Sequence, residues 1–131
     1  MRYVSTRGDA PVLGFSDVLL AGLATDGGLY VPETWPNMPD LPVGTYADLA
    51  AAVMAPFVGG EIPGDALARM CREAYASFRH PATVPLVQIG PDQWIMELFH
   101  GPTLAFKDVA LQVVGRMFDH VLTCLLYTSP S

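Results

Sequence analysis

Between residues 64 and 78, Leu67, Met70, Cys71, Ala74 and Phe78 fall on one face of a helix, while Arg69, Arg72 and Glu73 fall on the other. Such a helix is stable in water only when another element covers its apolar stripe. Two further helical patterns are legible. Thr45 can cap a helix running to about Phe57, with Leu49, Val53 and Phe57 on one stripe and Gly59-Gly60 at its end. The last pattern, residues 106–122, places Ala110, Val113, Val114, Met117, Phe118 and Val121 on one side and Gln112, Arg116 and Asp119 on the other. His80-Pro81 closes the middle helix.

The rest of the chain is punctuated differently. Ser16 is expected to cap a short helix over residues 16–23. Asp26-Gly27-Gly28 reads as a turn, with a strand over residues 29–31 after it. Pro32, Pro36, Pro39 and Pro42 mark an extended connection that Trp35 and Met38 are expected to pin to the body. Residues 85–89 and 93–98 read as strands of a hairpin around Gly90-Pro91-Asp92. The fold class is therefore α/β. At 131 residues the chain fits one domain or part of a larger protein. With 51% hydrophobic and 15% charged residues, it is apolar enough to expect surface that something else covers.

Composition excludes several function classes. The net charge is −6 and no basic run or basic-aromatic patch exists, so no nucleic-acid partner is expected. Apolar stretches such as residues 49–58 are too short to span a bilayer, and the first residues lack a signal-peptide core, so no membrane association is expected. Cys71 and Cys124 make neither a disulfide framework nor a metal-like spacing. A cytoplasmic location follows as the default, and no metal is expected.

Lys107 is the sole lysine in the sequence. It follows an apolar stretch and a Gly-Pro turn, just where the last helical pattern begins. A chain can deliver a primary amine into a sheltered site this way, because loss of water favours the uncharged, nucleophilic form that condenses with an aldehyde. The alternative is a lysine snorkelling at a helix start, although a cation there is disfavoured by the helix dipole.

The run Leu98-Phe99-His100-Gly101-Pro102-Thr103-Leu104-Ala105-Phe106-Lys107-Asp108 resembles the cofactor-lysine motif of the threonine synthase family. The opening is similar too: Tyr3-Val4-Ser5-Thr6-Arg7-Gly8, then Phe15-Ser16, then the stretch from Gly22 through Asp26-Gly27-Gly28 to Pro32. The resemblance covers essentially residues 1–123. It implies a small N-terminal α/β domain over residues 1–83, then over 84–123 the truncated start of a fold-type II, tryptophan synthase β-like domain that binds pyridoxal 5'-phosphate. It also implies a lyase of threonine biosynthesis that converts O-phospho-L-homoserine and water to L-threonine and phosphate. Lys107 would hold the cofactor and later shuttle protons at the α and β carbons of the substrate.

The neighbours admit two roles each. Phe106 and Leu104 either wall the cofactor ring or belong to the core. Asp108 either complements the helix dipole or does acid-base chemistry. His100 either touches the active site or holds a turn, and Thr103 either donates to a phosphate or ring group or caps the turn. Arg7 either meets an anionic substrate or makes an exposed ion pair with Asp9 or Asp17. No Ser/Gly-rich phosphate loop follows Lys107, and outside the tail of residues 124–131 no Ser or Thr is expected to meet the pyridine nitrogen, so the chain is expected to be inactive alone. Residues 124–131 lack the preceding helical period and match one reading frame of a transposase sequencing adapter, so they are read as a non-native tail. Two other functions are open: a threonine synthase-like phospholyase acting on a related amino phosphate, and a non-catalytic domain that binds a partner through its apolar surface.

Overall fold

The computed structural model describes residues 1–128. Strand β1 (Tyr3–Ser5) leads to helix α1 (Phe15–Ala21) and returns to strand β2 (Tyr30–Pro32). Helices α2 (Tyr46–Val58) and α3 (Gly64–Ala76) follow, then the hairpin of β3 (Leu86–Gly90) and β4 (Gln93–Met96), and finally α4 (Asp108–Thr128). The two sheets are separate antiparallel pairs. Val4 faces Val31 across the first, and Val87 faces Ile95 across the second. The mixed α/β reading is correct.

The core follows the α3 stripe and part of the α4 stripe, but on α2 the expected Leu49, Val53 and Phe57 stay half-buried while Ala47 and Val58 are buried instead. Ala47 and Val58 of α2, Leu67, Met70, Cys71 and Ala74 of α3, and Val113 and Met117 of α4 form one buried cluster. That cluster crosses the expected 83/84 domain boundary, because α4 packs on α3. Tyr75 reinforces the crossing: its hydroxyl donates to the Val109 carbonyl at 2.8 Å, and its ring meets Tyr46 edge-on. Burial, then the nearby Tyr46 and Cys71, push its pKa up, so it stays a donor.

The ends of the helices correct the sequence reading in two places. Thr45 caps α2 as expected, and Asp48 completes a reciprocal capping box. Ser16 does not cap α1. Gly14 occupies the N-cap, and the Glu61 carboxylate reaches across to accept the amides of Phe15 at 2.6 Å and Ser16 at 3.2 Å. A side chain brought in by the tertiary fold thus does the work of a local cap. Trp35 does meet the Phe57 ring at 6.1 Å, but Met38 is exposed and pins nothing.

Helix α4 runs past its expected end at residue 122 to Thr128. Residues 124–128 of the expected non-native tail therefore continue the helix, and residues 129–131 lie outside the described residues. With that extension, the 20 residues Asp108–Tyr127, at mean hydropathy 1.4, are long and apolar enough to cross a bilayer. The expectation that every apolar stretch is too short is corrected accordingly. A helix that packs on a protein core has the same length and hydropathy, and Val113, Met117 and Val121 of α4 are buried against the protein body.

Candidate active site

Lys107 stands at the head of α4. Its carbonyl accepts the Leu111 amide at 2.8 Å, which makes it the residue before the first helical turn, at the positive end of the helix dipole. Two tight turns lead to it: Leu104 N–H donates to the Gly101 carbonyl, and Asp108 N–H donates to the Ala105 carbonyl, each at 3.1 Å. The expected shelter is absent within this chain. Lys107 is exposed, and its amine has no hydrogen bond or ion pair among the described residues. The reason is visible in its surroundings: Leu98, Phe106, Lys107, Val109, Ala110 and Leu111 line an open, mainly apolar groove of about 570 Å³. Phe106 and Leu104 are 67% and 58% exposed, so neither is core.

Asp108 is almost fully buried beside the lysine. Its Oδ2 accepts both the amide and the hydroxyl of Thr103, at 2.9 and 2.8 Å, and its Oδ1 accepts the Gln112 side-chain amide at 3.2 Å. Burial raises its pKa, but these bonds, with one from the Ala105 backbone, outweigh burial and hold the carboxyl below the ordinary carboxylate range. Gly101 closes over it. A Cβ on Gly101 would stand 2.4 Å from the Asp108 Cβ, so only glycine fits there. Leu104 holds a left-handed φ of +65°, an uncommon conformation for a side-chain-bearing residue.

His100 lies on the other side of this turn. Its Nε2 pairs with Glu97 Oε1 at 2.8 Å, its ring lies 4.9 Å from that of His80, and its carbonyl accepts the Arg79 amide. No hydrogen bond, ion pair or ring contact joins it to Lys107 among the described residues.

Arg7 belongs to a second cluster, around Asp26. It makes no ion pair with Asp9 or Asp17; its guanidinium donates to the Asp26 carbonyl at 3.0 Å. The turn dictates that choice: Gly27, at φ +83°, carries the carbonyl beneath the arginine. The Asp26 carboxylate accepts the Gly28 amide, the Ser5 hydroxyl and the Asp9 amide. Those bonds, from Gly28 first, and the nearby Arg7 charge hold its pKa below the ordinary value. The structure thus brings Thr103, Phe106, Lys107 and Asp108 together and ties Arg7 and His100 to other partners.

Sequence reasoning missed Gly101, Gln112 and the gathering role of Asp26. The Gly-Pro dipeptide was a signal for the first, but the other two depend on which side chains the fold brings within reach.

Comparison with known proteins agrees with this geometry. Residues 2–75 match the family model described as the threonine synthase N terminus. A threonine synthase of Pseudomonas aeruginosa is 54% identical over 127 aligned positions, covering 93% of this chain and 27% of that protein. A threonine synthase of Schizosaccharomyces pombe is 41% identical, over 92% of this chain and 25% of its own length. The crystal structure of pyridoxal-phosphate-bound threonine synthase from Brucella melitensis superposes with a TM-score of 0.90 at 57% identity, over 95% of this chain and 28% of that one. The chain therefore spans about a quarter of the length of the relatives it matches. It belongs to the threonine synthase N-terminus family.

Proposed function

We propose that the full-length protein is a threonine synthase, a lyase that converts O-phospho-L-homoserine and water to L-threonine and phosphate. The observation that carries this reading is the placement of Lys107: the sole lysine, its amine without a partner among the described residues, at the head of a helix on the edge of an apolar groove. A primary amine beside an apolar wall suits a flat aromatic ring that bears an aldehyde. The residues present thus fit the ring and aldehyde of pyridoxal phosphate, with Lys107 holding it and Phe106 facing the ring. When bound, this cofactor supplies an electron sink for charge developing at the substrate's α carbon. Lys107 Nζ then serves as base and acid, taking a proton at the α carbon and returning protons as phosphate leaves and water adds.

In this reading Thr103 and His100 stay outside the chemistry, since the Thr103 hydroxyl is committed to Asp108 and the His100 ring to Glu97. Arg7 keeps further guanidinium N–H groups for an anion beyond the one given to Asp26. We assign the cradle for the cofactor phosphate and the partner of its ring nitrogen to residues outside this chain, which spans 27% of the Pseudomonas aeruginosa relative. We place the protein in the cytoplasm, the default for a sequence without a disulfide framework.

The test is phosphate release and threonine formation from O-phospho-L-homoserine by the purified full-length protein. Activity that falls at least about a thousandfold in Lys107→Ala supports the reading. Turnover of phosphoethanolamine-type substrates with none on O-phospho-L-homoserine would favour the phospholyase instead. The 131-residue chain by itself is expected to release no phosphate.

A further inference from the structure

A buried carboxylate is costly unless every oxygen finds a donor, so the partners of Asp108 reveal what it is kept for. They come from the turn before Lys107 and from the first turns of α4. One oxygen takes two bonds from Thr103, five residues back, and thereby closes a loop that contains Leu104 and Lys107. Inside that loop Leu104 is left-handed, a conformation an L-residue leaves when nothing holds it. Gly101 packs directly on Asp108, where any Cβ would collide with the carboxylate side chain.

We propose that Asp108 and Thr103 form a positioning clamp that locks the turn from Gly101 into α4 and so fixes where Lys107 presents its amine along the groove. The clamp rests on the reading of Lys107 as the cofactor-holding amine, but neither clamp residue touches the reacting atoms. A loosened clamp leaves the amine in place chemically and misplaces it geometrically, and an error of about 1 Å in a reacting group can cost up to about a hundredfold in rate. Asp108 and Thr103 share one bond system, so their losses should not multiply.

The experiment follows, in full-length protein, the rate at which added pyridoxal phosphate becomes fixable by borohydride as a pyridoxyl group on Lys107, read by mass spectrometry. Asp108→Ala and Thr103→Ala should each slow that rate by about tenfold or more, and the double variant should be no slower than Asp108→Ala. Thr103→Ser should restore the wild-type rate. Thr45→Ala loses a helix cap that makes no hydrogen bond to Thr103 or Asp108 and controls for general destabilisation; it should stay within about twofold of wild type. Should Asp108→Ala fail to fold, the Thr103→Ala and Thr103→Ser pair carries the same expectation. Wild-type labelling with an unchanged rate in the clamp variants, or multiplicative losses in the double variant, overturns the clamp alone. No labelling of wild-type Lys107 overturns the reading beneath it as well.

Discussion

The helical body and the hairpin with its lysine loop are both rich in apolar residues, yet only one of them covers its own surface. In the body, Leu67, Cys71 and Ala74 are at most 1% exposed, whereas Leu86, Trp94 and Met96 of the hairpin are 53–58% exposed. The difference lies in the period. A stripe on α3 presents one apolar side, and α2 and α4 are both at hand to cover it. The two-residue alternation of β3 and β4 presents two faces, and the described residues cover neither. The body therefore holds the fold, and the uncovered region surrounds the one lysine. Stability and chemistry reside in different parts of the molecule.

Mutations can break or sharpen that contrast. Leu67→Ala should cost the most, about 3 kcal/mol in chemical denaturation, because the filled core around α3 can collapse only in part. A cost below about 1 kcal/mol would mean that the body is not a packed core. Gly101→Ala should follow at about 2 kcal/mol, since its Cβ would drive into Asp108 at the tightest point of the lysine loop. Thr45→Ala should cost about 1 kcal/mol through loss of the α2 capping box. Trp94→Ser should change the stability of the 131-residue chain by less than about 0.5 kcal/mol. If it costs as much as Leu67→Ala, the hairpin is packed and the contrast is wrong.

Acid supplies a smaller and graded test. Asp26 has a folded pKa below its ordinary value of 3.8, so the unfolded chain binds its proton first as pH falls. Its contribution is therefore complete above about 4 and is lost as pH drops from there through the lowered folded value. Urea midpoints of wild type and Asp26→Asn should differ most near neutral pH and draw together as pH falls below the ordinary value, the direction set by Gly28, Ser5 and Asp9 donating to the carboxylate. A gap that widens in acid would contradict this sign.

What could be read ahead of the structure was whatever depends on neighbours in sequence. The α3 stripe, the Thr45 cap, the glycine stop after α2 and the hairpin turn at Gly90-Pro91-Asp92 are local patterns, and each lies where its spacing predicts. What could not be read depends on distant partners. Glu61 caps α1 from 46 residues away, and the carbonyl that holds Arg7 comes from a turn 19 residues on. The exposure of Lys107 belongs to this second kind. Its sequence context is apolar, but apolar neighbours give shelter only when another surface closes over them, and Leu104 and Phe106 are themselves open. At Asp108 the first-turn position was legible, while the Thr103 and Gln112 bonds needed the turn geometry.

The central claim is that Lys107 is the amine that holds pyridoxal phosphate. Its most direct test is to mix the full-length protein with pyridoxal phosphate, reduce with borohydride, digest, and locate the pyridoxyl group by mass spectrometry. The account predicts near-stoichiometric label on Lys107 and a visible absorbance that disappears in Lys107→Ala. A stoichiometric label on a different lysine, or no label on a protein that still makes threonine, would contradict it.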